Sequence, residues 1–293
     1  MPIRTPTLID WLRRAAVAAL AATAATVAAA PSPGALTLRS HHELLRDAFA
    51  SSPFRRPLLV QSSEADDELK GEIYAIVDQP FAATVQMLRD RSRWCDVMML
   101  HQNVKRCRPD AHAGTLAIVV GRKAQHTSEQ GHRMDFKFDV PASAPDFVRV
   151  QLAAASGPLG TRDHRVTLQA APLDATSSFI HLSYAYSSGR LARMATQAYM
   201  ATAGRDKVGF TVTRIEGGKP VYINGVRGIV ERNAMRYFLA IEAYFGALAA
   251  PLAQQQEKRM HDWFALTEQH PRQLHELERE EYLAIKRRDL AAL

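Results

Sequence analysis

Between Asn103 and Ser188 the chain repeats one pattern, short segments in which apolar and polar residues alternate, cut by turn residues. In HRMDFKFDV, Met134, Phe136 and Phe138 alternate with Asp135, Lys137 and Asp139. In DFVRVQL, Val148, Val150 and Leu152 alternate with Arg149 and Gln151. NVKRCRP, TLAIVVGRKA, HRVTLQA and SSFIHLSYAYSS belong to the same series, with Gly157-Pro158, Gly160 and Pro172 among the breaks. A period of two buries one face of a strand and wets the other, so the series predicts an antiparallel sheet that needs cover on one face. Downstream the period turns helical. From Gly228, Val230, Ala234, Phe238, Ile241, Phe245 and Leu248 recur at three or four, and Pro251 marks the end or a kink. Upstream, GEIYAIVD reads as a strand, FAATVQMLRD after Pro80 as a helix, and RWCDVMML after Ser92 as a second short helix. A sheet meander with one long helix against it is an α+β layer structure.

The flanks carry their own signals. Residues 15–30 read AAVAALAATAATVAAA, behind Arg13-Arg14 and ahead of Pro31-Ser32-Pro33-Gly34. A basic flank, a short apolar run and small residues at its end make a secretory signal peptide over 1–30, cut after Ala29 or Ala30. Spanning a bilayer takes about 20 strongly apolar residues, more than this alanine run supplies. An uncleaved anchor or an alanine-rich arm is the alternative. Export implies a periplasmic or secreted protein, in which Cys95 and Cys107 could form a disulfide; two buried thiols are the other reading. Residues 31–65 read as an entry arm with one short helix over 41–50, and Ser62–Asp67 as a loop. GRLARMATQAYMATAG is an amphipathic helix, KVGFTVTRIEG a strand, and VYIN a short strand. Residues 251–293 form a charged helical tail split at Pro271. Its stripe of Trp263, Phe264, Leu274, Leu277 and Tyr282 is expected to pack on its own domain. With 37 Lys and Arg against 30 Asp and Glu, the chain has a net charge of +7 but no basic tract. That excludes a nucleic-acid arm and leaves a mild attraction to anionic membrane surfaces.

The element order resembles the START-like, or Bet v 1-like (SRPBCC), helix-grip superfamily. The resemblance rests on GEIYAIVDQPFAATVQML, the following Trp94, the meander from Asn103 to Ile215 and the helix from Gly228, and covers residues 66–250. It implies a curved antiparallel β-sheet wrapped around a long C-terminal α-helix, here with extra N- and C-terminal helices. It also implies an apolar cavity between sheet and helix. Members commonly bind lipids, sterols or aromatic hydrophobes, and some are enzymes.

No nucleophile elbow, HExxH, Walker loop or dinucleotide fingerprint occurs, so no catalytic, metal or cofactor residue is assigned. Trp94, Phe136, Tyr184, Tyr186, Tyr199 and Tyr244 are the candidate aromatic lining, although a filled core would use the same residues. Arg227, Glu231 and Arg236 crowd the start of the long helix. They are either a clamp for a ligand headgroup or ion pairs that start the helix. His181 lies among apolar strand neighbours, on the face opposite Tyr184 and Tyr186. The expected function is an exported carrier of a lipid or other hydrophobic small molecule. The alternatives are a cyclase- or hydrolase-like enzyme using Glu231, His181 or a tyrosine, and a pocketless interaction module.

Overall fold

Eight strands form one antiparallel sheet: β1 (Leu58–Ala65), β2 (Glu68–Val77), β3 (Val104–Asp110), β4 (Thr115–Val120), β5 (His132–Ala144), β6 (Phe147–Ser156), β7 (Thr161–Pro172) and β8 (Ser178–Ser188). The computed structural model describes residues 30–110, 112–121, 130–189, 193–194, 196, 198, 202 and 204–292. The sheet and its covering helices belong to the unit Ser32–Leu293; the expected signal peptide lies, but for Ala30, outside the described residues. The strand order is β1-β2-β8-β7-β6-β5-β4-β3. Strands β3 to β8 therefore form a meander, and β2 closes beside β8, the last strand reached.

Register makes one face apolar from strand to strand. Gly71 pairs with Tyr184, Tyr184 with Val166, and Val166 with Leu152. The long helix α5 (Gly225–Gly246) lies over this face, against β1, β2 and β8. At Gly71 the approach is so close that a Cβ would stand 2.8 Å from the Val230 carbonyl oxygen, so glycine is required there. Helices α3 (Phe81–Leu88) and α4 (Arg91–Met98) join β2 to β3, and α4 also packs against α5. The helix-grip architecture expected from the sequence is thus observed.

Four local expectations are corrected. The N-terminal helix begins at Pro33, not near His41, and comes as two pieces, α1 (Pro33–Leu44) and α2 (Arg46–Ala50). Ser32 caps it by accepting the Ala35 amide, with Pro33 at the first helical position. Its Ala35 and Leu38 pack with Phe147, Ala171 and Phe179 on the opposite face of the sheet. Ser62 to Ala65 belong to edge strand β1, not a loop; pairing with β2 overrides their polar composition. Helix α5 starts at Gly225, one turn earlier than the apolar stripe. The segment at Ile215 is not part of the meander, because β9 (Val212–Glu216) pairs only with β10 (Lys219–Tyr222) in a separate hairpin.

The tail forms α6 (Leu252–Glu268), α7 (Pro271–Leu274) and α8 (Arg279–Ala291), with the break at Pro271. It packs on its own domain. The Trp263 indole donates to the Arg236 carbonyl at 3.1 Å and stacks on Tyr282, whose hydroxyl donates to the Leu100 carbonyl at 2.9 Å.

Cys95 on α4 and Cys107 on β3 form a disulfide, with their Cα atoms 5.2 Å apart. Replacing both by alanine is expected to lower stability by about 3 kcal/mol, mainly by freeing the unfolded chain. Urea unfolding of the double variant, set against the oxidised protein, checks this.

Candidate functional site

On the face of the sheet that α5 covers, five rings touch in sequence. His164 on β7 stacks on Tyr186 with centroids 5.3 Å apart, and Tyr186 lies 5.7 Å from Tyr184. Tyr184 lies 5.6 Å from Tyr237 on α5, and Tyr237 stacks at 5.2 Å on His101, in the turn before β3. Phe136 faces the same side from β5, and Ala154 stands beside His164 in the register of β6 and β7. The row therefore runs from the sheet, under the long helix, to the root of β3.

Two observations set this row apart from ordinary core. Tyr237 is deep enough that desolvation pushes its phenol up to about 12, yet it keeps accessible surface among the fully buried Phe238, Leu239 and Ala240. Asn233, one helical turn earlier, does likewise. Residual accessible surface on side chains this deep means that the packing around Asn233 and Tyr237 is not closed. Burial likewise raises Tyr186 to about 12 and holds Tyr184 well above the usual range, so all three phenols stay protonated.

The second observation concerns hydrogen bonds. His101 Nδ1 accepts the Asn103 amide at 3.1 Å. Burial, with the charges of Arg236 and Lys286, depresses the ring to about 3 against the opposing pull of Glu276 and the nearby Asn233 side chain. The ring is therefore neutral at pH 7 and its proton resides on Nε2. That Nε2–H makes no hydrogen bond of good geometry, although the Asn233 side chain is set against the ring as a polar partner. At the other end, the Thr161 hydroxyl donates to the Pro158 carbonyl at 2.7 Å and accepts from His164 Nε2 at 2.9 Å. Desolvation lowers His164 to about 4, leaving Nδ1 as a buried acceptor without a donor. Buried polar atoms are nearly always paired, so the orphans leave one donor and one acceptor, at opposite ends of the row, open to a water or another polar partner.

The structure brings together three of the residues named from sequence, Phe136, Tyr184 and Tyr186. It gives the others different contacts. Trp94, on α4, is fully buried, and its indole donates to the Leu88 carbonyl at the end of α3 at 2.8 Å. Arg227 donates to the carbonyl and hydroxyl of Ser62 on the edge strand. Glu231, with no exposed surface, accepts from the Ser62 hydroxyl, the Phe210 and Thr211 amides and the Thr211 hydroxyl at 2.6–2.9 Å. Arg236 donates to Glu276 at 2.7 Å on the tail side. Tyr244 lies under the Arg259 guanidinium, 4.4 Å away. Tyr199 falls outside the described residues. His181 is on the opposite face, stacked on Tyr74 and 3.0 Å from Glu72. Asp135 and Asp139 point to solvent and pair with Arg133 and Lys137.

His101, His164 and Tyr237 were missed as site residues. His164 was legible, since it alternates inward with Val166 and Leu168. The periodicity of α5 places Tyr237 next to Asn233 and Ala240. His101 lies in a turn, where no period applies. Among the described residues no cluster of His, Cys, Asp or Glu could hold a metal ion, and no helix is long and apolar enough to cross a membrane.

No protein-family profile matches the chain, and no curated protein matches it. Comparison with solved structures returns distant likenesses. A START superfamily protein from Mycobacterium smegmatis is 12% identical with a TM-score of 0.32, over 46% of this chain and 95% of its own. Norcoclaurine synthase from Thalictrum flavum, in complex with dopamine and hydroxybenzaldehyde, is 13% identical with a TM-score of 0.32, over 50% of this chain and 88% of its own. A conserved protein from Geobacillus kaustophilus is 11% identical with a TM-score of 0.32, over 47% and 86%. The helix-grip assignment rests on strand order, register and the long closing helix seen here, rather than on these scores.

Proposed function

We propose that this protein is an exported carrier that holds a hydrophobic small molecule, of lipid or aromatic character, between the apolar sheet face and α5. The observation that carries the reading is the ring row with accessible surface at Tyr237 and unpaired polar atoms at both ends. Its body is apolar and its few polar atoms are fixed, which is the composition of small-molecule sites. Burial of ligand surface would drive binding at about 25 cal/mol per Å². Export is supported by the basic, alanine-rich start of the chain, and the Cys95–Cys107 bridge suits an oxidising compartment. The mild positive charge would favour brief contact with anionic membranes from which an apolar ligand is drawn.

Two residues of the enzyme alternative have other roles: four donors already surround the Glu231 carboxylate, and His181 faces away from the row. The test is titration of delipidated protein with the neutral hydrophobe N-phenylnaphthylamine. Saturable binding is expected, weakened more than about tenfold in Ala154→Phe with little change in Tm, because on this reading the new ring takes the place of ligand. Absence of binding, with Ala154→Phe costing the roughly 1–3 kcal/mol of an overpacked core, would refute the carrier reading.

A further inference from the structure

Helix α3 ends at Leu88 and α4 begins at Arg91. The turn between them lines a cleft of about 710 Å³, open to solvent, that none of the five stacked rings reaches. Small-molecule sites occupy about 300–1,000 Å³. Ala82 and Val85 of α3 and Pro109 of β3 give the cleft its apolar lining, and Arg89, Arg91 and Gln86 line it with polar groups. The Cys95–Cys107 bridge ties α4 to β3 two residues before Pro109, so two of the lining elements are fixed to each other.

The charges of the cleft are unbalanced. Asp90, its one carboxylate, caps α4 by accepting the Ser92 amide at 2.8 Å and pairs with Arg93 at 3.3 Å. Asp110, next to Pro109, accepts the Ala113 and His112 amides at 2.9 and 3.0 Å, and feels the charge of Arg91 without pairing with it. Among the described residues neither Arg89 nor Arg91 forms an ion pair. The Arg91 guanidinium lies 6.0 Å from the Phe138 ring centre, and Arg89 is exposed. Arg91 and Arg93 also occupy the first turn of α4, which holds no acidic residue. Positive charge there opposes the helix dipole, and an anion would relieve it.

We propose that this cleft is a second binding site, for an organic anion with an apolar body: its oxyanion accepts from Arg89 and Arg91, and its body lies against Ala82, Val85 and Pro109. Guanidinium forks present paired N–H donors that match carboxylate, sulfonate and phosphate oxygens. The site is separate from the region beneath α5, so the inference stands or falls without the carrier reading.

The experiment is fluorescence titration of the oxidised full chain with 8-anilinonaphthalene-1-sulfonate, which has the rings of N-phenylnaphthylamine with a sulfonate added. Saturable binding is expected. Arg89→Gln with Arg91→Gln should weaken it about tenfold or more, the worth of charge-assisted hydrogen bonds at a half-exposed site. Ala154→Phe, beneath α5, should leave it within about twofold. Should the double variant not fold, Arg89→Gln alone decides, because that side chain is exposed; it should weaken the sulfonate about threefold. Sulfonate binding that survives the arginine replacements, that is lost in Ala154→Phe, or that never saturates would overturn the proposal.

Discussion

Replacing Glu231 by alanine is expected to cost about 3–5 kcal/mol, the scale seen when one member of a buried polar network is removed. The carboxylate has no exposed surface and ties three pieces of chain together: β1 through Ser62, the segment before β9 through Phe210 and Thr211, and the start of α5. Alanine would strand two backbone amides and two hydroxyls. The hydroxyls can turn toward other acceptors, whereas the amides cannot. Glu231→Gln should cost less, about 1–2 kcal/mol, because one amide oxygen still serves the Phe210 and Thr211 amides while its NH2 faces hydroxyls that can accept. Urea midpoints for the two variants check the order. Equal costs for alanine and glutamine would show that charge, not donor satisfaction, is what matters there.

A second large effect is expected in acid. His101 and His164 titrate at about 3 and about 4 in the folded protein, against an ordinary 6.5, chiefly because burial disfavours their charged forms. Both folded values lie below the unfolded one, so the unfolded chain binds more protons throughout the window between them. Stability is therefore full above about pH 6.5 and falls as the pH drops toward 4, by about 3–6 kcal/mol for the pair. His101→Phe and His164→Phe should each remove about one proton from the slope of unfolding free energy against pH between about 4 and about 6.5. A slope unchanged in both variants would mean that carboxylates alone set the acid limb. Carboxylates do contribute in the same direction, since hydrogen bonds from His181 and from Ser177 hold Glu72 and Asp174 below their usual range.

Much of the architecture was legible because it depends on periodicity. Alternation through Met134, Phe136 and Phe138 and the stripe through Val230, Ala234 and Phe238 define a sheet face and the helix that covers it. Edge strand β1 was not legible: Ser62, Ser63 and Glu64 look like a loop until Glu231 and β2 supply their partners. The site was legible in part for a related reason. Tyr184, Tyr186 and Phe136 can be placed by alternation within one strand. Whether Arg227, Glu231 and Arg236 face a ligand or a structural partner depends on what the chain brings back from elsewhere in sequence. For Arg236 that partner is Glu276, 40 residues away, and for Glu231 one partner is Ser62, 169 residues away. His101 owes its unpaired nitrogen to a turn, and only coordinates reveal it.

Native mass spectrometry of the protein purified without detergent from an exporting host tests most directly whether the region beneath α5 is a ligand site. The expected species is a mature chain beginning near Pro31 that carries one discrete small-molecule adduct. Organic extraction should remove the adduct, and the Ala154→Phe variant should lack it. A chain of bare mass from every preparation, taking up no apolar compound when offered it, would contradict the claim and leave the row of rings as a packed core.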